Sequence, residues 1–358
     1  MPATQSSSSP SAVPASVSTG RPRRVLGIAC ASVAIAALIA LCAGRFPLTP
    51  MQVAQALIGI AGAPHSAASL AQWQAIVVGE RLPRLIAAAL AGAALASGGA
   101  TYQAVFRNAL VSPGWLGVLS GAAFGAALGI ITGGAAPNLW WVQLCAFASG
   151  CTAMALGVAL AWLLGGGGTL ALLLGGLVSN ALFSALLALV KYVADPLDQL
   201  PAIVYWLLGS LAQAGWHDLA RLGPPLAIGT ALLCAAAPLL DALSQSDDEA
   251  LSLGVPVRRI RLAVIAVATL AAALTVSLGG MIGWVGLLVP HLARALAGAS
   301  NRAVLPVSAL LGATVLILAD TIARSATASE IPLGVITEIA GAAAFGFVLV
   351  RQRGRLAR

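Results

Sequence analysis

Long apolar runs separated by short polar breaks dominate the chain. Ten stretches approach the roughly 20 apolar residues that a bilayer core requires of a spanning helix. They run Val25–Gly44, Leu85–Phe106, Trp115–Ala135, Leu139–Leu164, Leu170–Ala194, Leu219–Leu240, Ile260–Gly279, Met281–Leu296, Val304–Ala323 and Ile331–Val350. The pattern predicts an all-α, polytopic membrane protein of about ten transmembrane helices. Gly279-Gly280 leaves almost no loop between the seventh and eighth stretches, and one long re-entrant element competes with two helices there.

The breaks carry further expectations. Residues 1–20 are an uncharged Ser/Pro/Ala tract, and 1–24 is predicted to be a disordered cytoplasmic tail ahead of a single membrane domain over 25–358. Arg21–Arg24 and the apolar run after them imitate a signal peptide. No small-x-small site precedes Arg45, however, and Leu41 spoils a lipoprotein box at Cys42, so the run is read as the first span. Residues 46–84 form the longest outer connection, with Pro83 placed near a helix start, where N–H groups are free anyway. Gly117, Gly121, Gly125, Gly129 and Gly133 form a stripe against which a neighbouring backbone can pack closely. Tyr205–Gln213 is apolar but too short to cross, which suits a half-helix lining an outer cavity. Asp241–Arg259 is polar with a Gly254-Val255-Pro256 break, and predicts two short cytoplasmic helices separated by a turn.

Composition agrees with the pattern. Hydrophobic residues make up 59% of the 358 and charged residues 8%, with mean hydropathy +0.96; a soluble domain carries about 25% charged residues. The net charge of +8 is an orientation signal rather than a nucleic-acid footprint. Thirteen of the nineteen cations fall on the segments that are cytoplasmic if both termini are inside, and six, including Arg45, Lys191 and Arg221, fall outside. Cys30, Cys42, Cys145, Cys151 and Cys234 lie in apolar stretches with no metal-binding spacing and read as small buried hydrophobes.

Candidate chemistry is sparse. A phosphate-binding loop needs glycines followed by Lys and Ser/Thr, yet the single lysine, Lys191, follows Leu189-Val190, and the Gly165–Gly168 run leads to Thr169 without one. An ATP motor must therefore be another subunit. Ion coupling would use carboxylates buried near the bilayer centre. Asp320 stands one turn before Arg324 and is read as locally ion-paired; Glu338 has no partner near it in sequence and is read as buried against another helix, with proton relay the competing role. His65, His217 and His291 lie in separate contexts, which leaves a haem ligand among them weakly supported. No nucleophile triad, metal-ligand cluster or cofactor motif is present. At the outer mouth Arg81, Arg84 and Arg324 can pair bidentately with carboxylates of a soluble partner, or simply anchor helix ends at the interface.

Six ordered stretches make the chain recognisable: ERLPRLIAAALAGAALASGGATYQAVFRNALVSPGWLGVLSGAAFGA (80–126), YWLLGSL (205–211), LSLGVPVRRIR (251–261), GGMIGWVGLLVPHLAR (279–294), LPVSALLGATVLILADTIAR (305–324) and EIPLGVITEIAGAAAF (330–345). They resemble the FecCD-type permeases, the membrane subunits of type II ABC importers for ferric siderophores, haem and cobalamin. The resemblance implies the type II ABC importer permease fold and a transport subunit rather than an enzyme. It also implies a homodimer in the bacterial inner membrane, two ATP-binding cassette subunits, and a periplasmic or lipid-anchored substrate-binding protein. On this likeness Arg81, Arg84 and Arg324 are docking residues for the binding protein. Leu253, Gly254, Val255 and Arg258 belong to the coupling segment that meets the ATPase. Ser179, Asn180, Trp206 and Ser210 are candidates for the path. The family's Asn-Pro-Leu-Ala and Gly-Ala-Pro-Phe are Asn108-Ala109-Leu110-Val111 and Gly341-Ala342-Ala343-Ala344 here, which relaxes two expected bends. The leading expectation is ATP-driven alternating access for an iron chelate, with a cobalamin or oxyanion importer as the variant within the family. An ion-coupled carrier and a transport-free scaffold or receptor are the rivals from other classes.

Overall fold

The computed structural model describes residues 20–59, 67–134, 138–165 and 168–356; the predicted tail up to residue 19 and His65 lie outside them. The first span forms α1 (Gly20–Cys42). What was expected to be a long outer connection is largely helical. Thr49 and Gln52 build a reciprocal capping box that starts α2 (Pro50–Ile58), and α3 (Ala67–Gln74) runs through a π-helical turn, Ala75–Arg81, into α4 (Leu82–Val105). Pro83 explains the wide turn: it donates no N–H and its ring crowds the carbonyl four residues back. Leu82 N–H accordingly reaches Val77 O, five residues behind it. The helix is thus continuous over the 39 residues Ala67–Val105, about 58 Å at 1.5 Å per residue, so it projects well beyond a bilayer core.

The chain continues through α5 (Val118–Thr132), α6 (Leu139–Gly165) and α7 (Thr169–Val193) to α8 (Gln199–Leu207) and α9 (Trp216–Ala235). α10 (Ala237–Leu243) follows α9 at a bend of 53°, where Pro238 stops the α9 ladder. Then come α11 (Asp247–Ser252), α12 (Val257–Gly279), α13 (Val285–Ala297), α14 (Asn301–Ser325) and α15 (Leu333–Leu356). Six helices are long and apolar enough to cross a membrane, α9 with α10 makes a seventh, and α5, α13 and the Leu333–Phe347 part of α15 are shorter apolar helices. Together these answer, in order, to the ten predicted stretches. No strand occurs among the described residues.

Two local expectations need correcting. The half-helix covers Gln199–Leu207 rather than Tyr205–Gln213, because Gly209 at φ +74 turns the chain out of the helix. The two short helices near residues 241–259 are α10 and α11, separated at Ser244–Ser246; the Gly254 break instead leads directly into α12.

Helix α4 is the centre of the bundle. Its alanines at 87, 88, 91, 94, 96 and 100 are at most 1% exposed, and their small side chains let neighbouring backbones come close. At Gly99 the approach is closest: a Cβ there would lie 1.8 Å from Gly286 O of α13. The predicted stripe on α5 does the same against α6, since a Cβ on Gly125 would meet Cys145 O at 2.1 Å. Large apolar side chains such as Ile28, Leu163 and Leu170 point outward, 69%, 84% and 69% exposed, as lipid-facing residues do. The five cysteines are free, and none is fully buried. They are lesser members of the helix surfaces rather than the core hydrophobes expected.

Candidate functional site

The three outer arginines converge. Arg81 is 7% exposed, and its guanidinium donates to Leu41 O (2.5 Å), Cys42 O (3.2 Å) and Phe46 O (2.5 Å). Arg324 donates to Ala40 O. The last carbonyls of α1 have no partners within that helix, and these two cations supply them, as the helix dipole favours. Gly44 closes over both guanidiniums in a conformation (φ +145) that side chains rarely adopt.

Arg84 is committed differently. Its Nε lies 2.9 Å from each oxygen of Asp320, Nη2 lies 2.9 Å from Oδ1, and Nη1 reaches Glu330 at 3.0 Å. Asp320 is therefore held chiefly by Arg84 on α4, and the expected neighbour Arg324 stands farther off, at 3.8 Å. Spacing along one helix could not reveal a partner 236 residues away. Three guanidiniums against two carboxylates leave this end of the bundle net positive.

At the opposite end, predicted to be cytoplasmic, α11 presents the coupling segment. Ser246 and Glu249 form a capping box, and this pulls the Glu249 carboxyl below its usual range through hydrogen bonds to the Ser246 backbone and side chain. Gly254 turns at φ +75, and Leu251 and Leu253 are 57% and 69% exposed. Asp247 ties this projecting loop to the bundle. It accepts from Arg107 Nη2 at 2.5 Å, just past α4, and from Arg261 Nη2 at 2.8 Å on α12. Burial works to raise its carboxyl, but the hydrogen bonds and charges of the two arginines outweigh that and hold it below the ordinary value. Sequence reasoning missed this clamp, whose only signal was an acidic residue at the start of a short helix. Arg258 stacks on Trp162 at 3.7 Å and so faces α6, away from the loop tip.

The path candidates separate. Ser179 is wholly buried and donates to Ala153 O at 2.6 Å, within α6–α7 packing, and Asn180 is only partly covered. Trp206 and Ser210, by contrast, belong to a backbone knot that the sequence did not disclose. Ser210 N donates to Gly279 O (2.9 Å), Leu333 N to Gly209 O (2.9 Å) and Gly334 N to Leu208 O (3.0 Å). The half-helix turn, the α12–α13 junction and the start of α15 are thereby stitched together. That junction is non-helical from Gly280 (φ +70) to Trp284 (φ +63), so α12 and α13 are separate helices. Beside it, a groove of about 950 Å³ runs between α13, α14 and α15, lined mainly by apolar residues such as Leu288, Leu318 and Ile336. His291 lines the groove, whereas His217 is exposed elsewhere. No group of three metal-ligating side chains occurs among the described residues. Glu338 is not buried against another helix: it is exposed, with its carboxylate laid over Gly283. Where the family proline is missing, α15 runs unbroken through Gly341–Ala344.

Comparison with known proteins decides the assignment. The model of the FecCD transport family matches residues 32–351. The chain belongs to the FecCD transport family. The permease is 36% identical over 320 residues to the molybdate import system permease protein MolB of Haemophilus influenzae, covering 89% of this chain and 93% of that one. It is 38% identical over 308 residues to the cobalamin import system permease protein BtuC of Halobacterium salinarum, covering 86% and 80%. A probable iron chelatin transport system permease of Helicobacter pylori is 38% identical over 279 residues, covering 78% and 83%. Among solved structures, a metal-chelate type ABC transporter in an inward-facing conformation matches with TM-score 0.81 and 34% identity, over 92% of this chain and 99% of that one. The permease is thus a multi-pass membrane subunit of a type II ABC importer, a transport component whose ATPase activity lies in a separate subunit.

Proposed function

We propose that two copies of this permease, with two ATP-binding cassette subunits and a periplasmic or lipid-anchored binding protein, form the path by which an iron chelate, a ferric siderophore or haem, crosses the bacterial inner membrane. Both termini are cytoplasmic in this reading. The observation that carries it is the exposed Leu251–Leu253 loop, fastened through Asp247 to α4 and α12 at once. An apolar tip offers an ATPase subunit a surface to bind, and the double ion pair passes its displacement to two membrane helices. At the other end the net positive arginine cluster supports docking of a binding protein. Arg84 is the arginine suited to the exchange, since Glu330, partly exposed at 27%, can be replaced by a partner's carboxylate. Arg81 and Arg324 assist by fixing α1 beneath the mouth.

The iron-chelate reading draws on the names of the iron chelatin relative and the metal-chelate transporter. The molybdate and cobalamin relatives define the variant reading, an oxyanion or cobalamin importer on the same scaffold. Reconstitution with the matching ATPase and binding protein tests the mechanism. Uptake of the chelate that requires ATP is the expected result; uptake driven by a proton or sodium gradient alone would return the protein to an ion-coupled carrier.

A further inference from the structure

Glu338 is the one carboxylate in the membrane part of α15, and among the described residues it makes no hydrogen bond or ion pair. It lies five residues into the helix, roughly 8 Å below its start, and is therefore inside the apolar zone. Its neighbours Ile339 and Ala340 are exposed as well. An ionisable group at that depth is costly against lipid and is found facing protein interiors or water-filled cavities. The backbone beside it obeys the same constraint. Residues 280–284 are non-helical at membrane depth, which is tolerated only where the chain is buried in protein or lines a cavity. Glu338 rests on this broken segment: a Cβ at Gly283 would lie 2.9 Å from its Oε1. The knot that joins the half-helix to α15 is next to it, through Gly334 and Leu208.

Resting on the reading above, we propose that Glu338 lines the water-filled translocation path and gives it a cation-favouring field, so that the transported complex is neutral or positively charged at the face it presents. An unpaired carboxylate in a narrow path attracts cations and repels oxyanions. It thereby acts as a specificity residue, and it weighs against molybdate-like cargo.

The test reads the field directly and requires no cargo. In assembled complex lacking the five native cysteines, Ala342→Cys places a thiol one turn from Glu338, on the same exposed side of α15. Its modification rates by the water-soluble methanethiosulfonates carrying trimethylammonium and sulfonate groups are then compared. For unit charges about 6 Å apart in a watery path, Coulomb's law makes Glu338 shift the ratio of the two rates by about tenfold at low salt. Glu338→Gln should lower the cation-to-anion ratio by that factor, and Glu338→Asp should keep it. An unchanged ratio in Glu338→Gln overturns the proposal. So does failure of both reagents to react, which would mean that lipid or a second copy covers this face. Neither result depends on ATP-driven uptake, so the importer reading stands or falls separately.

Discussion

The pairing of Arg84 with Asp320 makes a prediction whose sign is opposite for single and double substitutions. Both side chains are nearly out of solvent, 11% and 5% exposed. Removing one member of a buried pair leaves an uncompensated charge, at about 3–5 kcal/mol. In Asp320→Asn the guanidinium retains Glu330 at 3.0 Å, which places the loss at about 3 kcal/mol, the lower end of that range. In Arg84→Met the Asp320 carboxylate keeps only Arg324 at 3.8 Å, so the loss is about 4 kcal/mol. The double variant removes both charges and leaves an amide beside a thioether. Buried pairs replaced together by uncharged residues are often nearly neutral, and with Glu330 left unpaired the net cost is about 2 kcal/mol. The coupling between the two sites is therefore at least about 3 kcal/mol, far above the ~0.5 kcal/mol within which independent sites add. Thermal unfolding of the purified permease in detergent, followed by intrinsic tryptophan fluorescence, measures the four corners of the cycle. The double variant should melt above Arg84→Met. Losses that simply add in the double variant would show that the pair is solvent-screened, and the inward-facing account of this arginine would fail.

Two further predictions concern the helix contacts and the loop clamp. Gly99→Ala should force α4 and α13 apart, because the new methyl would lie 1.8 Å from Gly286 O, at an overpacking cost of about 1–3 kcal/mol or more; Gly27→Ala on α1, with nothing within 4 Å of the new atom, should instead stabilise by up to about 1 kcal/mol. Melting temperatures that move the same way in both variants would contradict this. Asp247 has a depressed carboxyl, so its clamp is fully present above the unfolded value near 3.8 and is lost as pH falls through the lower folded value. Hydrogen exchange of α11 should therefore be steady from pH 5 to 8 in the native protein and faster throughout in Asp247→Asn. Because Asp247 is half exposed, at 47%, the stability cost is modest, about 1 kcal/mol, and uptake should suffer more than ATPase binding.

How much of this was legible in the chain depended on the distance over which each interaction acts. The spans, the glycine stripe and the broken seventh–eighth junction are written in runs and spacings, and each appears close to where the pattern put it. Gly209 was in view, but whether it would end the half-helix depended on contacts with Met281 and Gly334, far along the chain. The arginines show the limit more sharply. Their side of the membrane and their grouping followed from sequence, yet two of the three spend their donors on carbonyls of α1, and the third faces carboxylates on α14 and in the loop after it. A cation count at a helix end cannot distinguish a guanidinium offered to a partner from one already consumed.

That distinction changes what docking has to accomplish. A free arginine would gain a charge-assisted hydrogen bond on meeting a partner's carboxylate. Arg84 already has Asp320 and Glu330, so a partner gains only the difference between its own carboxylate and Glu330. The exchange is nearly balanced, which suits a binding protein that must leave after each delivery; the released Glu330 would repel an acidic partner that stayed. Glu330 also sits two residues before Pro332 and the start of α15, whose first turn is tied to the half-helix through Leu333 and Gly334. A partner that takes Arg84 from Glu330 therefore loosens the restraint on the segment leading directly into the knot beside Glu338. Docking at the mouth and opening of the path then share one short stretch of chain, residues 330–338. Glu330→Gln should mimic the docked state by weakening that restraint without a partner, and faster hydrogen exchange over 330–338, with the Asp320 pair intact, is the signature it should give.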